Sequence, residues 1–94
     1  MNTKSLRIFT EVANTGSFSA AARNLGLTQP AVSSQISTLE KEYGNTLIDR
    51  STSRCRLTEA GASLREYARR ILEAEDDLRR EMDGIRCEVS GSLS

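Results

Sequence analysis

Gln29, Ser33, Ser34 and Ser37 recur at helical spacing on a side of the chain that the apolar residues Val32, Ile36, Leu39 and Tyr43 leave free. Ser33 and Ser37 are one turn apart with Ser34 beside them, and these groups, with Gln29 at the helix start, are expected to lie away from the apolar stripe. Their chemistry is recognition by hydrogen bonding. A Gln amide pairs bidentately with adenine, a Ser hydroxyl serves a base edge or a phosphate, and Pro30 offers an apolar edge to a thymine methyl. A second cluster, Arg50, Arg54 and Arg56 around Ser51, Thr52 and Ser53, carries the cations that phosphate contact requires. Between residues 12 and 39 the single charge is Arg23 and there is no acid, so nothing in that stretch repels phosphate.

Covalent or acid–base catalysis finds no comparable support. The 94 residues contain no His, which removes the commonest general base, the usual triad partner and the usual zinc nitrogen ligand. Cys55 and Cys87 are too far apart in sequence for a close-spaced zinc pair or a CxxC redox motif. The six glycines stand singly, so no glycine-rich loop can wrap a phosphate group. An enzyme is not expected, and neither a cofactor nor a metal is expected. No apolar run approaches the roughly 20 residues of a membrane span, and no signal-peptide core opens the chain. A cytoplasmic protein with reduced thiols and no membrane partner is the expectation.

Four helices and a hairpin must position these groups. Leu6, Phe9, Val12 and Ala13 mark a first helix with Thr3 as its expected N-cap and Gly16 as its stop. Ser17 caps a second helix through Phe18, Ala20, Ala21, Ala22 and Leu25, ended by Gly26. Thr28 caps a third, with Pro30 in its first turn, where a missing N–H costs nothing; Tyr43 and Gly44 close it. Val32, Ile36, Leu39 and Tyr43 form its core stripe. The helical period then lapses, and Leu47-Ile48 and Arg56-Leu57 read as two short strands of a hairpin around the polar tip 50–54. Thr58 caps a long fourth helix over residues 59 to about 87, with no strong breaker before Gly84. The segment 89–94 is expected to leave that helix through Gly91 as the start of a connection to something further.

The charges divide along the same line. Thirteen Lys and Arg against thirteen Asp and Glu give a net charge of zero, which as a total argues against a nucleic-acid partner. Residues 1–58, however, hold seven basic and four acidic side chains, a net +3, while residues 59–94 hold six and nine, a net −3. On the fourth helix Leu64, Ile71, Leu78 and Ile85 are spaced by sevens, with Ala68, Glu75, Met82 and Val89 four positions after each. That is a heptad-like seam with one charged interruption, in either a parallel or an antiparallel pair. Its early turns are expected to fold back on the first helix; the rest points to a homodimer, with Leu64, Ile71, Leu78, Met82 and Ile85 in the interface.

Two helices joined by a tight Gly-containing turn match the helix-turn-helix arrangement, in which the second helix enters the major groove. By pattern alone, a structural or protein-binding three-helix core fits equally well, and a solvated loop is the lesser alternative for the hairpin. The particular residues go further. Gly16-Ser17-Phe18-Ser19-Ala20-Ala21-Ala22, Leu25, Leu27-Thr28-Gln29-Pro30-Ala31-Val32-Ser33, Gln35-Ile36, Leu39-Glu40, Gly44, Leu47, Arg50 and Leu57-Thr58-Glu59-Ala60-Gly61 closely resemble, in order and spacing, the DNA-binding domain of LysR-type transcriptional regulators. The resemblance covers residues 1 to about 90.

It implies a mainly α fold, a winged helix-turn-helix followed by a long linker helix. The domains expected are a DNA-binding unit over 1–58, a dimerising linker over 59–88 and a connection over 89–94 to an effector-binding domain outside these residues. The implied partners are double-stranded DNA, a second subunit paired antiparallel through the linker, a tetramer in the full-length protein, and a small-molecule effector on the further domain only. Carried over position by position, Gln29, Pro30, Ser33 and Ser34 resemble recognition-helix contacts, Thr28 a phosphate contact and cap, and Arg50 and Arg54 wing contacts to the backbone or minor groove. Arg23 and Ser37 complete the expected DNA-facing set. Two positions depart from the family pattern: Ser34 and Ser37 stand where a basic residue is common, and Ile48 where an aromatic is common.

Overall fold

A computed structural model describes residues 2–51 and 54–93, with side chains as far as Ile85. The order of elements is α1 (Thr3–Thr15), α2 (Phe18–Leu25), α3 (Gln29–Tyr43), β1 (Ile48–Asp49), β2 (Arg56–Leu57) and α4 (Glu59–Leu93). The fold is mainly helical, a three-helix core with an antiparallel two-stranded hairpin and a long helix.

Local chemistry sets the helix ends. Asn2, rather than the expected Thr3, caps α1: its backbone is extended and its side-chain oxygen accepts from the Ser5 amide at 2.8 Å. Thr3 is already the first helical residue. Either residue type caps well, and the chain places the cap one position earlier. Ser17 accepts from the Ala20 amide at 3.1 Å and Thr28 from the Ala31 amide at 3.2 Å, as expected of caps. Gly16 and Gly26 take left-handed backbone at the ends of α1 and α2, a region that favours glycine because it has no Cβ.

Leu6, Phe9, Val12, Ala21, Val32, Ile36 and Leu39 are at most 1 % exposed and make the centre where α1, α2 and α3 meet; Ile8, Leu47 and Ile48 join them. Tyr43 departs from its expected place on the stripe. It is 41 % exposed, because it is the last helical residue and α3 has run past the core by then. Leu47 is buried but precedes the strand; the pairing is Ile48 with Leu57 and Asp49 with Arg56. The Glu40 carboxylate accepts from the amides of Leu47 and Ile48, at 2.8 and 3.3 Å, and so satisfies donors that a two-residue strand leaves open. Thr52 and Ser53 of the tip lie outside the described residues.

The fourth helix runs through Gly84 and Gly91 to Leu93, past the expected end near residue 87. A glycine inside a helix costs only about 1 kcal/mol relative to Ala, and without a proline or a capping turn that does not stop it. Its first turns lie antiparallel along α1. Arg65 donates to Asn14 at 2.8 Å, and ten residues further along α4 Arg7 reaches Glu75 at 2.7 Å and Asp76 at 3.0 Å. Glu75, the charge that interrupts the seam, thus faces α1. Ala68 is fully buried and Leu64 packs against the core, so the early seam is covered within the chain.

Bonds first from Thr3 and then from Arg7 hold the Glu75 carboxyl below its ordinary value of 4.5. A depressed carboxyl stabilises the fold above its unfolded pKa, and that contribution disappears as the pH falls through the folded value. The stability difference between the wild type and Glu75→Gln, measured by urea unfolding, is therefore expected at neutral pH; it should shrink as the pH falls below the ordinary carboxyl value and vanish once the folded carboxyl is itself protonated. A difference that persists at low pH would show that the carboxylate is not its source.

Candidate nucleic-acid interface

Helix α3 is pinned inward by Val32, Ile36 and Leu39, and this decides what it presents outward. Thr28, Gln29, Pro30 and Ser34 are exposed, Ser33 and Ser37 half-buried. Its N-terminus carries the positive end of the helix dipole, with no acid in its first turn, although Pro30 has no N–H and the Ala31 amide is taken by the Thr28 cap. Helix α2 packs across α3, and its residues reach the same face. The Ser19 hydroxyl donates to the side-chain oxygen of the exposed Gln29 at 3.0 Å.

The hairpin approaches from the other side. Arg50 follows β1, and its guanidinium lies over the Phe18 ring, 4.4 Å from the centroid, with Nη1 donating to the Ser33 hydroxyl at 3.4 Å. The Cys55 amide donates to the Gly16 carbonyl at 3.1 Å, tying the return strand to the α1–α2 turn. Arg54 is carried to the same turn; a Cβ on Gly16 would lie 3.6 Å from its Nη2. Thus α2 and the turn before it link the two groups: Ser19 holds Gln29, Phe18 and Ser33 meet Arg50, and Arg54 lies at Gly16. Ser34 is next along α3, and Ser37, one turn on, borders a shallow groove with Lys41 and Asn45. Arg23 is exposed in the last turn of α2, where its charge complements the helix's negative end, and makes no hydrogen bond or ion pair with the others among the described residues.

Charge separates in space as well as along the chain. Arg7, Arg69, Arg70 and Arg80 are engaged by the carboxylates of Glu75 and Asp76, Glu66 and Glu73, Glu66, and Asp77 respectively. Arg50, among the described residues, makes no ion pair, and its charge remains available to a polyanion. Cys55 is a half-buried free thiol at the base of the hairpin. Among the described residues no group of His, Cys, Asp and Glu is assembled that could hold a metal ion, and no helix is long and apolar enough to cross a membrane.

Two members of the site escape a reading of the sequence. Phe18 is a core residue, at 9 % exposure, yet its ring also supports Arg50, and Ser19, in the alanine-rich helix, holds Gln29. The available signal is position: both follow the Ser17 cap directly, in the turn of α2 that must face the start of α3.

The sequence model described as "Bacterial regulatory helix-turn-helix protein, lysR family" matches residues 3–62. The chain is 47% identical over all of its 94 residues to an uncharacterized HTH-type transcriptional regulator in the ibpB-leuC intergenic region of Azotobacter vinelandii, covering 65% of that protein. It is 41% identical over 93 residues, 99% of the chain, to the HTH-type transcriptional regulator BudR of Raoultella terrigena, covering 32% of it. It therefore spans less than two thirds of the length of either relative. Among solved structures, the BenM DBD in complex with catB site 1 DNA superimposes with a TM-score of 0.88 at 33% identity, over 90% of this chain and 94% of that one. The CbnR DBD–DNA complex gives 0.84 at 36% identity, over 89% and 97%. The winged helix-turn-helix with a long following helix is the shared architecture, and the relatives are named as regulators rather than enzymes. The chain belongs to the lysR family of bacterial regulatory helix-turn-helix proteins.

Proposed function

We propose that this chain is the operator-recognition part of a LysR-type transcriptional regulator and binds duplex DNA sequence-specifically as a dimer. The carrying observation is the superposition, over nine tenths of the chain, on the BenM DBD in its complex with DNA, together with an exposed, acid-free start of α3. In this reading α3 enters the major groove. Gln29 and Ser33 meet base edges, Pro30 meets a thymine methyl, and Thr28 and Ser34 contact phosphates or bases. Arg23, Ser37, Arg50 and Arg54 add contacts around them, the hairpin arginines on the backbone or minor groove. No cofactor takes part, and the site of action is the cytoplasm.

The subunits pair through α4, where Ile71, Leu78, Met82 and Ile85 are 36, 55, 51 and 48 % exposed on a helix whose ion pairs to α1, among the described residues, run to Asp76. Residues 1–58 are the DNA-binding unit, 59–88 the linker, and 89–94 lead toward an effector-binding domain; a tetramer is the assembly of the full-length protein. Leu64 lies in the interface only at its edge, since the core already packs against it.

Selection of bound duplexes from a random pool tests this. A two-fold-symmetric motif is expected, with half-sites one or two helical turns apart. Affinity for it should fall steeply and log-linearly with salt. Gln29→Ala should change the base preference in each half-site, with a loss of about 1–3 kcal/mol at the preferred base, while the salt slope stays the same. Salt-independent binding, or a pool without any enriched motif, would defeat the proposal.

A further inference from the structure

A cation at the tip of a hairpin ordinarily reaches outward, but the Arg50 guanidinium is folded back against two helices. Both ends of its arm are held. Ile48, two residues before it, is 2 % exposed and paired with Leu57, so the backbone is anchored in the core. The guanidinium itself lies 4.4 Å from the centroid of Phe18, the first residue of α2, and reaches Ser33 in the second turn of α3. A guanidinium is planar and weakly hydrated, so it can rest one face on a ring and still present N–H groups at its edge. Its hydrogen bond to Ser33 is long, 3.4 Å, and a phosphate oxygen would replace it readily.

We propose that Phe18 is a positioning residue for DNA binding: its ring holds Arg50 beside Ser33 in the free protein, aimed at a phosphate bordering the groove that α3 enters. The proposal rests on the reading of this face as a DNA interface, and narrows the role of Arg50 from backbone or minor groove to the backbone. Arginine has large rotamer freedom, and a side chain already held loses less of it on binding. The arrangement matters here because Ser34 and Ser37 bring no cation to the outward face of α3. Arg50 is the cation that the fold lends it.

The test is a double-mutant cycle on the whole chain with mixed-sequence duplex DNA over a range of salt concentrations. Arg50→Ala should lower the salt slope by about one per subunit, since a phosphate contact is lost. Phe18→Leu keeps the charge and should keep the slope, but weaken binding about two- to fivefold per subunit, the effect of an exposed cation–π contact. Added to Arg50→Ala, it should weaken binding no further. Equal weakening in both backgrounds would mean a general structural effect and would overturn the proposal, as would wild-type binding by Phe18→Leu. Failure of the wild-type chain to bind any duplex would instead overturn the interface reading itself, and this proposal with it. Should Phe18→Leu not fold, two measurements remain. The Arg50 side-chain resonances of the wild type should be shifted upfield by the ring, and Phe18→Tyr should bind as the wild type does. Unshifted resonances, or weakened binding by a folded Phe18→Tyr, would overturn the proposal.

Discussion

Replacing Gly61 by Ala is expected to destabilise the domain by about 1–3 kcal/mol, toward the upper end, although Ala is the better helix former. The two effects oppose each other. In a helix interior the exchange gains up to about 1 kcal/mol of propensity. Against that, a Cβ at Gly61 would sit 2.0 Å from the Leu47 carbonyl oxygen and 3.3 Å from the Leu57 side chain. The carbonyl has little room to yield. It accepts from the Thr58 amide at 3.1 Å, the Leu47 amide is held by Glu40, and the Leu47 side chain is 2 % exposed in the core. Steric overlap therefore wins, and the melting temperature should fall by on the order of 10 °C or more. Gly84, on the same helix, has nothing within 4 Å of an added Cβ. Gly84→Ala should raise helix content by circular dichroism and cost no stability. A Gly61→Ala chain as stable as the wild type would mean that α4 does not approach the hairpin this closely.

The largest effect on binding is expected from Leu78→Glu. Leu78 is 55 % exposed, so the change should leave the fold of a single subunit intact. In a paired α4 it buries a carboxylate in an apolar seam beside Met82 or Ile85, a burial that costs several kcal/mol unless the charge is neutralised. Sedimentation at micromolar concentration should then give a monomer where the wild type gives a dimer. The consequence for DNA is larger than the contacts themselves. Two linked half-site readers bind with the second event intramolecular, so losing the link should weaken binding to a symmetric site by about a hundredfold or more. Binding to a single half-site should change little. A dimeric Leu78→Glu chain, or equal losses on both kinds of site, would place the interface elsewhere.

Much of this molecule follows from short-range chemistry. Helical spacing of Leu6, Phe9 and Val12, and of Val32, Ile36 and Leu39, marked the inward faces, and all six are buried. Ser17, Thr28 and Thr58 cap the helices that their hydroxyls announce. Thr28, Gln29 and Pro30 are exposed because they sit at the very start of α3, ahead of the core; Gln29 is in register with Val32 and Ile36, so periodicity alone would have turned it inward. Periodicity failed at ends. Tyr43 continues the stripe in sequence but lies beyond the core it would pack on, and α4 passes the glycines that were expected to end it.

By itself the sequence determined the elements, the inward and outward faces of α3, the family, and the division of a net-zero chain into a basic front and an acidic rear. Each depends on neighbours three or four positions away, or on motif spacing. Only the tertiary structure decided which groups meet across elements: Arg50 on Phe18, Ser19 on Gln29, Glu75 on Arg7, and Gly61 against Leu47. Those pairings depend on helix crossing and on the path of the hairpin, and these are set by how side chains of distant segments fill one core. No local period encodes that packing.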